Sequence, residues 1–168
     1  MRNRRFANSL IVMAFAIVAL VIGCNDINGG GWIEKSNGKK ANFGFNFKCK
    51  CKGEGLGNAE ASGQLQFNDR EKWKDFERGV KFHGVVDSVP QNTCGGLASE
   101  FEGHYLGSYT PQPRKLGKGG RFTIYLKDNG ESGPTKGDYF ELTLTGGIYD
   151  GYELEGTLEG GNIQTPGA

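Results

Sequence analysis

Apolar and polar residues alternate along most of the chain beyond position 40. In the clearest run, residues 41–51, every odd position holds alanine, phenylalanine or cysteine, and every even position holds a polar residue or glycine. A period of two is typical of a β-strand with one buried face. The same kind of pattern predicts further strands at residues 29–33, 61–67, 80–86, 99–109, 121–127, 139–145 and 152–158.

These segments amount to about eight short strands separated by turn signals. Strands in such close succession, with no long helical pattern between them, predict an all-β fold, either an antiparallel β-sandwich or a partly closed barrel. Residues 68–79 break the alternation. There Asp69 is suited to cap a short helix that ends at Gly79, and an irregular loop is the open alternative.

The chain begins with a segment typical of protein export. Arg2, Arg4 and Arg5 precede an apolar run of 14 residues, from Leu10 to Gly23. That run is shorter than the roughly 18 residues needed to cross a bilayer and has the length of a signal-peptide core. Cys24 follows directly, and the junction resembles the signal of bacterial lipoproteins. Residues 1–23 are therefore predicted to be a signal peptide, and Cys24 the lipidated first residue of the mature protein.

Two alternatives stay open for this junction: ordinary cleavage after Gly23 with secretion, and an uncleaved membrane anchor. In the lipoprotein interpretation, a diacylglyceryl group and an N-acyl chain (palmitate, for example) attach the protein almost permanently, because a single chain binds only marginally. Asn25 stands where an aspartate would favour retention at the inner membrane of Gram-negative cells. We therefore expect an envelope location, at the outer membrane if the host has one.

Length and composition then limit the number of domains and the kinds of function that are open to the mature chain. The 168 residues less the 23 of the signal leave 145 residues, enough for one domain with a core. We divide them into a glycine-rich tether (24–31), a single β domain (32–164) and a tail (165–168). Without the three signal arginines, 17 of the 20 basic residues stand against 19 acidic residues, a balance that gives no indication of nucleic-acid binding.

Several glycine-aromatic motifs together resemble the post-COAP type domain, a bacterial extracellular β-rich family often found beside choice-of-anchor domains. The resemblance covers nearly the whole mature chain and implies an extracellular β domain without an established enzymatic role. This chain departs from the family in an insertion at residues 70–78 and in its Cys-Lys-Cys segment. The motifs are GGGWI (29–33), ANFGFNF (41–47), ASGQLQF (61–67), VKFHG (80–84), KDNGE (127–131) and LEGGNIQ (158–164).

Three cysteines remain after Cys24 is assigned to the anchor. Cys49 and Cys51 lack the spacing of a C-x₂-C zinc pair. Disulfides persist in exported proteins, so we predict a disulfide between Cys51 and Cys94, with Cys49 as the alternate partner. Metal binding by the three thiols is the competing interpretation.

Two polar clusters are weaker candidate sites. The loop residues Asp128, Asn129, Glu131 and Asp138 carry oxygen ligands suited to calcium, although the same residue types favour any hairpin loop. No other cofactor is expected. A lysine stripe on the polar face of the second strand is suited to anionic polysaccharide or lipid head groups, and a solvated strand protected from edge pairing is the alternative. The stripe consists of Lys40, Lys48, Lys50 and Lys52.

Nothing in the sequence assembles a known catalytic motif. It holds two histidines, His83 and His104, and neither a G-x-S-x-G nor an H-E-x-x-H pattern. We therefore predict a non-catalytic module that binds or scaffolds polysaccharide or another envelope protein. The competing hypothesis is an envelope-associated polysaccharide hydrolase with a carboxylate pair. Its candidates are Glu100, Glu102, Glu153 and Glu155.

Overall fold

A computed structural model describes residues 26–51, 59–89, 101–130 and 137–165, and these residues are almost entirely β. All of their strands pair antiparallel within a single sheet. The strands are β1 (Ile27–Glu34), β2 (Lys40–Cys51), β3 (Ala59–Asp69), β4 (Val80–Ser88), β5 (Phe101–Pro111), β6 (Arg121–Asp128), β7 (Tyr139–Thr145), β8 (Glu153–Thr157) and β9 (Gly160–Gln164).

The strand order explains how the sheet curls. From β1 to β8 each strand pairs with the next strand of the chain, and β9 pairs with β1. Leu158 and Glu159 join β8 to β9. The amide of Leu158 donates to the carbonyl of Asp138 beside β7 at 2.8 Å, and the amide of Glu159 donates to the carbonyl of Trp32 in β1 at 3.0 Å. The last segment thus bridges both sides of the sheet, which forms a partly closed barrel and not a sandwich.

The barrel has two distinct ends, which we name after the course of β1. At the end where β1 finishes, Glu34 lies opposite Lys40, and Asp69 lies opposite Val80. The connections β1–β2, β3–β4, β5–β6 and β7–β8 all lie there, and we call this the cap end. The opposite end, where β1 begins at Ile27, is the entry end.

Side chains at alternate positions fill the interior. The exposed fraction of Leu65, Ile124 and Leu142 is zero, as the predicted period of two requires. Aromatic rings fill much of the remaining space. The ring centroids of Phe43 and Phe140 lie 3.8 Å apart across the barrel. Burial of each such large side chain contributes about 1.5–3 kcal/mol to stability, so this core is the main source of the stability of the fold.

Two predicted boundaries were wrong. The tether was expected to reach residue 31, yet β1 begins at Ile27, whose side chain is fully buried. No strand was predicted at residues 160–164, yet they form β9. Their signal was weak because only Ile163 is apolar there. The close approach of β9 and β1 explains the glycines: a Cβ at Gly31 would lie 2.3 Å from the carbonyl oxygen of Gly160. Thr165, assigned to the tail, is buried and belongs to the domain.

The predicted helix within 69–79 does not form, and its alternative, an irregular loop, is correct. Trp73 and Phe76 exchange two backbone hydrogen bonds, at 3.1 and 2.8 Å. The Oδ1 of Asp69 accepts the amide proton of Glu71 at 2.8 Å, but the residues that follow form turns and the Trp73–Phe76 bridge instead of a helix. In the described part of the chain, the one helical element is a 3₁₀ turn at Arg114–Leu116. None of the described helices has the length and apolar character that crossing a membrane requires.

Candidate functional site

The β3–β4 connection, residues 70–79, folds over the cap end of the barrel. The Trp73 ring packs edge-on against Tyr152 at 5.1 Å, and the Phe76 ring packs against Tyr149 at 5.2 Å. The Lys74 ammonium donates to the carbonyl of Asp150 at 2.8 Å. These contacts fix a polar loop onto the β7–β8 turn, so the loop provides one firm wall of a surface groove.

The β5–β6 connection provides the opposite wall. The amide of Gln112 donates to the carbonyl of Lys81 at 2.9 Å, which fastens the start of the connection to β4. The carbonyl of Lys118 accepts the amide proton of Ile148 at 3.1 Å, which fastens its end to the β7–β8 turn. Both walls are therefore attached to the same rigid sheet.

Between these walls lies an open groove of about 970 Å³. Five basic side chains line it, and within the described residues none of the five forms an ion pair. Its two acidic side chains are Asp75 and Glu77, and Glu77 is paired with Lys72 outside the groove. The five basic residues are Arg70, Arg78, Lys81, Arg114 and Lys115.

The groove also has apolar lining. Phe76 and Pro113 contribute ring surface, and Leu116 is 42% exposed. Leu116 is one of two large hydrophobic side chains exposed among the described residues; Val85 is the other. Cationic side chains above apolar rings can bind a ligand that carries both negative charge and carbon-rich surface.

A buried polar cluster supports the loop from below. Asp69 is fully buried, and its Oδ2 accepts hydrogen bonds from the Tyr152 hydroxyl at 2.6 Å and the Lys35 ammonium at 2.8 Å. Burial lowers the pKa of Lys35, but its hydrogen bonds to Asp69 and Glu71 outweigh that effect, and the pKa lies above its ordinary value. Burial raises the pKa of the Tyr152 hydroxyl, and the bond to Asp69 raises it further. The cluster thus joins the end of β1 and the end of β3 to the β7–β8 connection.

Three of the predicted calcium ligands, Asp128, Asn129 and Asp138, are described, and they lie at the entry end, where they have structural partners. Asp138 accepts the amide protons of Asn129 at 3.1 Å and of Ile163 at 2.6 Å, so it holds β9 against the β6–β7 connection. Asp128 accepts the amide proton of Gly130 at 2.8 Å. Glu131 is outside the described residues. Within the described ranges, no group of three His, Cys, Asp or Glu residues is placed to hold a metal, and calcium stays a prediction.

The lysine stripe is only partly described. Lys40 and Lys48 are exposed on the outer face of β2, and the Lys40 ammonium lies 4.6 Å from the centre of the Trp32 ring. The structure does not describe the side chain of Lys50 or any part of Lys52. The alternative interpretation is confirmed in that Lys40 and Lys48 are solvated, but its edge protection was wrong, because β2 lies between β1 and β3. Binding through these lysines stays a prediction.

Two of the acidic residues of the competing hydrolase hypothesis lie close together, and Glu102 lies apart from them. Glu153 and Glu155 lie on β8 beside Glu141 of β7, around an open depression of about 390 Å³. Glu155 accepts the hydroxyl proton of Tyr139 at 3.1 Å. Glu102 lies on β5 and is paired with Lys127 at 3.1 Å, and Glu100 is outside the described residues. The sequence therefore identified two carboxylates of this cluster and missed Glu141.

Of the four cysteines, only Cys49 has a described side chain. Its side chain is 6% exposed and points inward as predicted, and its sulfur is not a free thiol. Cys24, Cys94 and the side chain of Cys51 are outside the described residues. Lipidation and the disulfide therefore both stay predictions.

The groove was not predicted from the sequence. Its residues come from two connections that are about 40 positions apart, and only folding brings Arg78 beside Arg114. The available signal was a high density of basic residues in both connections, including the insertion at residues 70–78. In the comparison with known proteins, no family model, curated protein or solved structure matches this chain.

Proposed function

We propose that this chain is an exported, lipid-anchored and non-catalytic binding domain whose groove holds an anionic polysaccharide. The proposal assigns the anchor to Cys24 and places the domain at the cell envelope. The resemblance to post-COAP type domains agrees with an extracellular β module and remains part of the proposal. The single observation that carries the binding function is the groove with five basic side chains, none of which forms an ion pair within the described residues.

The charge distribution supports an anionic ligand. The mature chain has slightly more acidic than basic residues, yet the groove concentrates five cations against two acids. Cations left without a protein partner are free to meet an anion, and walls of low polarity strengthen that attraction. Carboxylates or sulfates spaced along a polymer satisfy several of these cations at once.

The position of the groove supports a polysaccharide over a lipid head group. Ile27 opens β1 at the entry end only three positions after Cys24, so an anchored domain has its entry end towards the membrane. β1 rises about 3.3 Å per residue and spans roughly 25 Å. The groove lies at the cap end and would face away from the bilayer. A ligand from the wall or the exterior reaches it more directly than a lipid of the same membrane.

Binding by the full chain to alginate and polygalacturonate, with dextran as the neutral reference, tests this function. The double variant Arg70→Gln/Arg114→Gln removes two groove cations. At roughly 0.7 kcal/mol for each exposed charge contact, it should weaken the Kd about tenfold. Lys39→Gln is the matched control, because Lys39 is exposed at the same end and does not line the groove. Equal affinity of both variants would refute the groove.

The same samples test two other outcomes. Binding to phosphatidylglycerol vesicles, without binding to either polymer, would show that a lipid head group is the ligand. Release of reducing sugar from the polymers, abolished by Glu155→Gln but not by Glu102→Gln, would establish the hydrolase. We favour binding because a general acid normally lies in an enclosed apolar site, whereas Glu153 and Glu155 are exposed.

The covalent parts of the proposal have separate tests. Mass spectrometry of the mature N-terminus should find Cys24 acylated, and an unmodified Cys24 would remove the anchor. Non-reducing peptide mapping should place Cys94 in a disulfide with Cys51 or Cys49. The buried Cys49, which is not a free thiol, supports the alternate pairing. Three free thiols would refute both pairings.

A further inference from the structure

A second part of the surface has a chemistry that the groove does not explain. On the outer face of β9, β1, β2 and β3, eight amide side chains lie in three rows across the strands. Asn46 lies opposite Asn28 and Gln64, and Asn42 lies opposite Asn68. We call this surface the amide face. Its amides are Asn28, Asn42, Asn46, Gln64, Gln66, Asn68, Asn162 and Gln164.

This composition is unusual for a solvent-facing sheet. Asparagine is depleted in strands, where β-branched and aromatic residues fit better. Within these four strands, none of the three rows contains a charged residue. Lys40 lies on β2 beyond one end of the rows, and Lys48 lies beyond the other end. An amide both donates and accepts hydrogen bonds, as a sugar hydroxyl does. The amide face is therefore suited to a neutral, hydroxyl-rich ligand and offers no strong site for an ion.

The middle row contains a shallow trough. Gly30 and Gly44 lie opposite each other, with Asn162 and Gln66 on either side. The fold does not require glycine at position 44: its backbone is not left-handed, and a Cβ there would meet only the carbonyl oxygen of Gly29, at 3.9 Å. A glycine that the backbone does not need leaves open space on the surface.

An aromatic ring lies beside this trough. Trp32 is opposite Asn42 in the neighbouring row, and its ring lies against Gly160, where a Cβ would come within 1.9 Å of it. Its side chain is half-buried, and the flexible, exposed Lys40 lies over the ring. Indole rings combine a large apolar surface with a polar edge, so Trp32 can pack against the carbon-bound hydrogens of a sugar ring.

We propose that the amide face binds a neutral polysaccharide chain, which lies in the trough of Gly30 and Gly44 and stacks on Trp32. This site shares only Asn68, at its edge, with the groove, whose walls are the β3–β4 and β5–β6 connections. Substitutions in the groove and on the amide face therefore act on different ligands. The inference does not depend on the proposed binding of anionic polymers.

Affinity electrophoresis of the full chain tests this site in gels that contain hydroxyethyl cellulose, dextran, mannan or glycol chitin. The wild type should be retarded by at least one of these polymers. Gly44→Thr fills the trough and should weaken the apparent Kd at least tenfold. Asn42→Thr/Asn46→Thr removes two amides and should act in the same direction. Ser108→Thr places a threonine at an exposed position of β5, outside the rows, and should bind as the wild type does.

Urea denaturation of each variant shows whether a loss of binding reflects unfolding. Gly44→Thr should unfold at a urea concentration no lower than the wild type, because threonine suits a strand better than glycine does. Three results would overturn the inference: no retardation by any of the four polymers, equal retardation of Gly44→Thr and the wild type, or sedimentation that shows self-association through this face without polysaccharide binding. Retention of this binding by Arg70→Gln/Arg114→Gln would separate it from the groove.

Discussion

Removal of one hydroxyl group, in Tyr152→Phe, tests the buried cluster that supports the cap end. The Tyr152 side chain is 1% exposed, and its hydroxyl donates to the carboxylate of Asp69 at 2.6 Å. A hydrogen bond to a charged group contributes about 1.5–3 kcal/mol. Asp69 keeps its bonds from Lys35 and Glu71 in the variant. We therefore expect a loss near the lower limit, about 2 kcal/mol at pH 7, with the ring contacts to Phe67 and Trp73 unchanged.

The difference between the two proteins should depend on pH. The folded state raises the pKa of Tyr152 through burial and through Asp69, whereas an unfolded tyrosine titrates near pH 10. The contribution of the hydroxyl is complete below pH 10 and is lost as the pH rises further, because only the unfolded chain then releases the proton. The loss is about 1.4 kcal/mol for each pH unit above 10. The advantage of the wild type should therefore fall to roughly 0.6 kcal/mol at pH 11.

Urea denaturation followed by tryptophan fluorescence, at pH values from 7 to 11, measures both effects. Tyr139→Phe is the control, because Tyr139 makes its hydrogen bond to the exposed Glu155 on the outer face; it should change stability by less than about 0.5 kcal/mol. A Tyr152→Phe variant as stable as the wild type at pH 7 would refute the cluster. A difference that stays constant up to pH 11 would refute the raised pKa.

Three further predictions concern the backbone and the disulfide, and urea denaturation measures each of them. Gly31→Ala places a Cβ 2.3 Å from the carbonyl oxygen of Gly160 and should destabilise by more than about 2 kcal/mol, since backbone cannot yield easily. Gly44→Ala, in the same sheet but without a clash, should stabilise by about 0.5–1 kcal/mol; destabilisation would contradict the open trough. Cys94→Ser should remove about 4 kcal/mol if the predicted disulfide closes its loop of about 44 residues, and an unchanged midpoint would contradict the disulfide.

The strands with a fully buried face were predictable from the sequence. Residues 121–127 and 139–145 show a strict alternation because every second side chain enters the apolar core, and the structure differs from their predicted bounds by at most one residue. β9 was missed because backbone pairing with β1 determines it. Gly160 and Gly161 permit that close approach, and glycines are equally typical of an unstructured tail.

The candidate site was less predictable for a related reason. Lys35 and Asp69 are 34 positions apart, and Arg78 and Arg114 come together only because β4 and β5 are paired. The partner of each charge depends on strand register, which a period of two does not encode by itself. The amides of β1, β2 and β3 were visible as polar positions, but their common face needed the order of the strands. Glu141 was missed for the same reason, since it acquires a neighbour in Glu155 only across the β7–β8 pair.

The pairing of β1 with β9 also determines the order in which the molecule can be completed. From β1 to β8, every pairing joins neighbours in the chain, so these hairpins can form as the polypeptide emerges. β1 alone waits for a partner whose paired residues are about 130 positions away. Until Gly160–Gln164 arrives, one edge of β1 is open to pairing with another chain, and closure over such a distance is slow. A chain that stops before β9 would therefore have a nearly complete core and an aggregation-prone edge.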